Sequence, residues 1–175
     1  NGNLDVHNSV TLIDLSGAGT NLLTSTTGDV ELAPVSDSGS VVKLEINAAV
    51  NVRLSTITLD NDPLNTAVGL LDINVDSDND GGAFSSGALI ANGVTINSNN
   101  DLSIDGSITA TAPAGGTSGV GIQITTVDSA LESESITIEA GVTLTTTGTG
   151  ADIVISSGDD VMVAADSDID SADNI

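Results

Sequence analysis

Hydrophobic and polar residues alternate over short stretches along this chain. Alternation over four or five positions is typical of β-strands that bury one side. Seven stretches have this pattern: 29–32, 50–54, 55–59, 93–96, 101–104, 135–138 and 141–144. Clusters of Gly, Asn, Asp and Ser separate them, and these residues favour turns. No stretch has a convincing helical period, so the pattern predicts an all-β chain.

The chain also contains degenerate internal repeats, which we place near residues 9–40, 68–112 and 120–170. Residues 68–77 match residues 120–129 at five positions, with an offset of 52. Self-similarity of this kind is typical of proteins built from stacked structural repeats.

Further matches support the same repeat. Residues 93–96 resemble residues 141–144, and the Val-Thr-Leu of residues 10–12 recurs at 142–144. These segments indicate degenerate copies of one kind of unit.

Strands this short do not bury an apolar side alone, so neighbouring repeats must stack into one continuous core. This favours a parallel β-helix with two or three strands and about 20–25 residues in each coil. An antiparallel β-sandwich is the alternative, because its strands have a similar spacing along the sequence. We expect a single repetitive β domain over residues 1–175 that is a segment of a larger chain or fibre.

The apolar residues are small. Val, Ile, Leu and Ala supply almost all of the 39% hydrophobic content, and Phe84 is the only aromatic residue. Small branched side chains fill a narrow interior, which suits a solenoid. The scarcity of Trp, Tyr and Arg weakens the case for a small-molecule pocket or a compact protein-binding patch.

The charge balance excludes several partners. Asp and Glu number 25 against two basic residues, for a net charge of −23. Such a chain repels phosphate, so we expect no nucleic-acid binding. No apolar run approaches the ~20 residues of a membrane-spanning helix, so we expect no membrane insertion. Carboxylates in this number do suit hard cations such as Ca²⁺.

Four segments stand out as copies of one pattern: 73–81 leading into 93–96, then 142–150, 151–155 and 159–163. These segments resemble the repeats of filamentous-haemagglutinin-like giant bacterial exoproteins. The resemblance implies a right-handed parallel β-helix that is exported to the bacterial surface or the extracellular space. It also implies a role in adhesion, surface coating or fibre formation.

One candidate calcium loop has carboxylates at alternate positions, Asp76, Asp78 and Asp80, followed by Gly81. Alternate Asp side chains can surround an ion when a glycine allows a tight bend. The twelfth position of the loop is Gly87 rather than Glu, so an EF-hand is not supported. A solvated acidic turn is the alternative interpretation.

A second candidate calcium segment near the carboxyl end has the same alternation, with Asp166, Asp168 and Asp170. We interpret both segments as sites where Ca²⁺ would stabilise loops rather than take part in a reaction.

Residues suited to catalysis are scarce. His7 is the only histidine, and Lys43 and Arg53 are the only basic residues. A catalytic triad would have no other histidine base, and a polysaccharide lyase would need more cations to stabilise its anionic intermediate. We expect that the chain is not an enzyme.

The sequence therefore predicts a structural segment of a secreted or cell-surface adhesin or fibre, acting as a stalk or a self-assembling rod. Its expected partners are further coils, either in the same chain or in a second copy, and a cell-surface receptor or glycan. The alternatives are a Ca²⁺-stabilised surface-layer module and a receptor- or carbohydrate-binding module.

Overall fold

The computed structural model of the chain describes residues 2–8, 10–12, 20–37, 43–59, 69–79, 81–111, 120–128, 134–148, 150–172 and 175. These residues form twenty strands and no helix. Every strand pairing among them is parallel, which excludes the antiparallel sandwich. The chain is therefore all-β, with the strand order of a parallel β-helix.

The strands follow one another around three faces, and each strand pairs with the strand of the same face in the next coil. Face A comprises β1 (Leu4–Val6), β4 (Val30–Leu32), β7 (Val52–Leu54), β10 (Phe84–Ser86), β13 (Leu102–Ile104), β16 (Ile136–Ile138) and β19 (Val161–Val163). Face B comprises β2 (Val10–Leu12), β5 (Val35–Asp37), β8 (Ile57–Thr58), β11 (Leu89–Ala91), β14 (Ile108–Ala110), β17 (Thr143–Thr146) and β20 (Asp168–Asp170). Face C comprises β3 (Thr20–Ser25), β6 (Lys43–Ala48), β9 (Leu70–Val75), β12 (Gly93–Ser98), β15 (Val120–Thr126) and β18 (Asp152–Ser156). Face A consists of two sheets, and β13 lies against β10 where they meet.

The coils differ in length more than the sequence predicts. Successive face A strands begin at residues 4, 30, 52, 84, 102, 136 and 161, so a coil takes between 18 and 34 residues. Much of this variation lies in the connection from face B to face C. Asn92 alone joins β11 to β12, whereas residues 111–119 join β14 to β15.

The core is a set of aliphatic stacks that run along the axis of the rod. On face C, Ile46, Ile73, Ile96 and Ile124 pair in register, and each is fully buried. Each strand contributes the residues of one alternate set, as the hydrophobic pattern requires. Burying an aliphatic side chain is worth about 1.5–3 kcal/mol, so these stacks are the main favourable term in folding.

Polar side chains at one corner connect successive coils just before the face A strands. The Asn3 Oδ1 atom accepts a hydrogen bond from the backbone N of Asp29 at 3.2 Å. Asp29 Oδ1 in turn accepts from the backbone N of Asn51 at 3.2 Å, and Asn51 Oδ1 accepts from the backbone N of Ala83 at 2.8 Å. Each Asn or Asp therefore supplies the acceptor that a corner amide of the next coil needs.

The register on face C differs by one residue from the repeat match at an offset of 52. Through β12, the structure pairs Leu71 with Ile122, at an offset of 51. Because of this offset, Val75 is 2% exposed inside β9, whereas Val127, its partner in the sequence match, follows the last residue of β15 and is 54% exposed. Separately, the register between β15 and β18 shifts at Gly121, where β15 has one residue more than β18.

Candidate functional site

The outward residues of four face C strands form a polar surface across four coils. Alternate residues of β6, β9, β12 and β15 point away from the core, and most of them are half-buried. We call this surface the face C strip; it consists of Lys43, Glu45, Asn47, Leu70, Asp72, Asn74, Gly93, Thr95, Asn97, Gln123 and Thr125.

An ion-pair cluster occupies one end of the strip. Glu45 and Asp72 are direct register partners, and two like charges in that arrangement destabilise a sheet. Lys43 Nζ lies 2.7 Å from Asp72 Oδ2 and 3.3 Å from Glu45 Oε2, so it offsets this repulsion. Burial lowers the pKa of Lys43, but its hydrogen bonds and charge pairing, with Asp72 first, raise that pKa above its ordinary value of 10.5.

A ladder of three asparagines runs along the strip next to this cluster. Asn97 Nδ2 donates to Asn74 Oδ1 at 3.0 Å, and Asn74 Nδ2 donates to Asn47 Oδ1 at 2.6 Å. Asn47 Nδ2 then donates to Glu45 Oε1 at 3.0 Å. This last bond, followed by the bond from Lys43, holds the pKa of Glu45 below its ordinary value of 4.5. The four side chains thus form one continuous chain of hydrogen bonds.

Two depressions lie on either side of the row formed by Glu45, Asp72, Thr95 and Gln123. The first has a volume of about 180 Å³, and its lining includes Lys43, Leu70, Asp72, Gly93, Val120 and Gln123. The second has a volume of about 280 Å³, and its lining includes Asn47, Asn74, Asn97, Ser77 and Asn99.

Two polar atoms of the strip have no hydrogen-bond partner among the described residues, although they are shielded from solvent. They are Asp72 Oδ1 and Thr125 Oγ1. A buried polar atom in this state costs about 1–3 kcal/mol relative to a satisfied one. The strip therefore contains groups that a suitable ligand would stabilise.

The first candidate calcium loop has its carboxylates in different surroundings. Asp76 is fully buried, with a φ of 53°, and its backbone N donates to Val50 O at 3.2 Å. Asp78 is exposed, and Asp80 lies outside the described residues. A Cβ on Gly82 would collide with the carbonyl oxygen of Val50, so the end of this loop requires glycine. A calcium ion bound by this loop stays a prediction.

The second candidate segment surrounds β20. Asp166 lies in a turn with a φ of 63°, and Asp168 and Asp170 are both exposed on the outer side of face B. The latter two are register partners of Thr143 and Thr145. Within the described ranges, no group of three or more His, Cys, Asp or Glu side chains is placed to hold a metal ion. Calcium at this segment also stays a prediction.

Arg53, the second basic residue, lies on face A. Arg53 NH1 is 3.0 Å from Asp29 Oδ2, and Asn51 Nδ2 is 2.7 Å from Asp29 Oδ1. Burial raises the pKa of Asp29, but these hydrogen bonds outweigh burial and lower the pKa below its ordinary value of 3.8. Arg53 is therefore part of a corner network, and His7 is exposed beside β1.

No family model, curated protein or solved structure matches the chain. In the part of the chain that the structure describes, no helix is long and apolar enough to cross a membrane.

Our sequence analysis missed the face C strip, although the sequence does contain a signal for it. The dipeptide Ile-Asn occurs at residues 46–47, 73–74 and 96–97, each time at the end of an alternating stretch. Isoleucine at the inward position and asparagine at the next outward position is the arrangement that stacks both residues in a parallel β-helix. The pairing of Lys43 with Asp72 has no comparable signal, because Asp72 comes from the next coil.

Proposed function

We propose that this chain is a structural segment of a secreted or cell-surface bacterial adhesin or fibre, in which it acts as a stalk. Its function is mechanical: stacked coils keep attached segments at a distance, and the ends of the stack pair with further coils. The observation that carries this proposal is the exposed inward stack at β19.

The strand β19 presents core positions to solvent. Val161 and Val163 are register partners of Ile136 and Ile138, which are fully buried. The two valines are nevertheless 45% and 51% exposed. A strand added on this edge would cover them and satisfy the backbone groups of the edge. Such a strand can come from the same chain or from a second copy.

The corner position before β19 supports the same proposal. Asp160 precedes β19 as Asn3, Asp29 and Asn51 precede β1, β4 and β7. Those three side chains accept hydrogen bonds from backbone amides of the following coil. The carboxylate of Asp160 could accept a hydrogen bond in the same way from a backbone amide of a further coil.

Joining two copies of the chain in tandem tests whether its coils propagate as one rod. Seven coils at about 4.8 Å each give a length of roughly 35 Å. We expect small-angle X-ray scattering to show that the tandem protein is longer than one copy by about this length, with the same cross-section. Two compact bodies at variable separation would contradict the proposal.

Variants at the edge make the test specific. Val161→Asp together with Val163→Asp in the first copy should uncouple the two halves, because it places charges in the shared core. The matched control is Leu22→Asp together with Val154→Asp, since these two exposed residues point outward from face C. The control should keep the length of the tandem rod. Equal effects of the two double variants on the length of the tandem protein would refute pairing through the inward stack.

Separate copies test self-assembly. Because each copy has a net charge of −23, association should strengthen between about 0.1 M and about 1 M NaCl, where the screening length falls from about 10 Å to about 3 Å. Sedimentation velocity measures this directly. A monomer at both salt concentrations would refute self-assembly of separate copies. It would not contradict a stalk function within one longer chain.

A further inference from the structure

We propose that the face C strip binds a neutral, hydroxyl-rich glycan that lies along the axis of the rod. This site is separate from the edge at β19, so the binding function and the stalk function can fail independently. The rod itself, rather than a loop, would make the contact.

The asparagine ladder provides repeated hydrogen-bonding groups. Each carboxamide has two N–H donors and an oxygen with two acceptor positions. The ladder uses one N–H of each of Asn47, Asn74 and Asn97. A second N–H on each amide is left for a ligand, at the strand spacing of about 4.8 Å. The depression of about 280 Å³ lies directly beside the ladder, where part of a sugar chain could sit.

The depression over Gly93 adds different chemistry. Lys43 has three N–H donors, and Glu45 and Asp72 engage two of them. Its third donor suits a sugar hydroxyl, and Gln123 lines the same depression. Leu70 lines it as well and offers an apolar surface to the C–H side of a sugar ring.

The two shielded atoms described above leave hydrogen-bonding capacity unused just beneath the surface of the strip. Asp72 Oδ1 needs a donor, and Thr125 Oγ1 can donate or accept. A hydroxyl group does both, and it is the group that a polyol repeats on each ring carbon.

Charge selects among glycans. The net charge of −23 repels sulfated or carboxylated sugars, so the ligand should be uncharged. Phe84 is buried on face A, so it supplies no stacking surface. Each contact is then a hydrogen bond worth little in water, and binding should be weak for a short oligosaccharide and stronger for a long one that spans several coils.

A titration followed by nuclear magnetic resonance tests the site. The probes are neutral hexasaccharides of glucose and of N-acetylglucosamine, a heparin hexasaccharide as the acidic probe, and a chitosan hexamer as the cationic probe. With a neutral probe we expect shifts of the side-chain amide signals of Asn47, Asn74, Asn97 and Gln123. Heparin should shift none of them.

Variants then locate the contact. Gln123→Ala should weaken binding about five-fold, the effect of one neutral hydrogen bond. Asn74→Leu should weaken it more, because it interrupts the ladder. Thr109→Ala is the matched control, since Thr109 is a half-buried outward residue on face B, and it should leave the affinity unchanged.

Three results would overturn the proposal. They are the absence of shifts with both neutral probes at tens of millimolar, binding of chitosan alone, which would indicate attraction of charge only, and equal effects of Gln123→Ala and Thr109→Ala. Should Asn74→Leu fail to fold, the comparison of Gln123 with Thr109 still decides.

Discussion

Replacing Ile73 with alanine tests whether the inward stack stabilises the rod. Ile73 is fully buried and lies in register between Ile46 and Ile96. The change removes three side-chain carbons, worth about 2.4 kcal/mol at about 0.8 kcal/mol per methylene. The cavity that remains adds to this loss, so we expect the free energy of unfolding to fall by about 3–4 kcal/mol. Ile73→Val removes one carbon and should cost about 1 kcal/mol.

Urea unfolding followed by circular dichroism measures these losses, with the slope of the transition compared among variants. The control is Leu70→Ala, because Leu70 belongs to the same strand but is half-buried on the outer side. It should cost less than about 1 kcal/mol. A loss below about 1 kcal/mol for Ile73→Ala, or equal losses at the two positions, would refute the assignment of inward and outward residues.

Three further predictions concern polar groups. Asn74→Ala removes two ladder hydrogen bonds and should lower the free energy of unfolding by about 1–2 kcal/mol in the same urea assay; an unchanged value would contradict the ladder. The pKa values of Asp29 and Glu45 are lowered in the folded state, so their contribution to stability is present above their ordinary values of 3.8 and 4.5 and is lost as the pH falls below them. The thermal midpoint should therefore drop on acidification below about pH 4.5, and less steeply in Asp29→Asn. Millimolar Ca²⁺ added after a chelator should raise the thermal midpoint, and Asp78→Asn together with Asp80→Asn should remove the part of this rise that the first loop contributes; no rise in the wild type would refute both calcium segments.

The strands could be predicted from the sequence because each inward position has a distinct residue type. The stretch 101–104 is an example: Leu102 and Ile104 are buried in β13, and Ser103 between them is half-buried. An alternation of this kind depends only on neighbours along the chain, so it survives without knowledge of the fold. Each of the seven predicted stretches overlaps a strand of the structure.

The face to which each strand belongs could not be predicted in the same way. Residues 93–96 and 141–144 have nearly the same sequence, yet β12 belongs to face C and β17 to face B. The strands visit the three faces in turn, so a strand can be assigned to a face only when every strand before it has been recognised. The connections vary too much in length to show where a strand has been missed. A single extra residue, as at Gly121, is enough to move a side chain from one side of a strand to the other.

The surroundings of the candidate site residues were likewise beyond the sequence. The alternation of Asp76 and Asp78 predicts two similar carboxylates, but the first is fully buried and the second is exposed. The difference arises because Ser77 N bonds to Ala48 O and Asp76 N bonds to Val50 O, which places the start of the loop against the preceding coil. Contacts between coils link residues 18 or more positions apart, and a local pattern does not encode them.

The direction of the asparagine ladder has a consequence for the rod as a whole. Asn97 and Asn74 each donate an N–H to the preceding coil, and Asn47 donates to Glu45 in its own strand, so the amide dipoles of the first two add in the manner of the peptide dipoles of a helix. The carboxylate of Glu45 lies at the positive end of this array, where a negative charge is most stabilised. Turning one amide over would place donor against donor on one side and acceptor against acceptor on the other, so the three amides reverse together or not at all. The ladder thus gives the side of the rod a fixed polarity, and a ligand chain that itself has two different ends would bind it in one orientation.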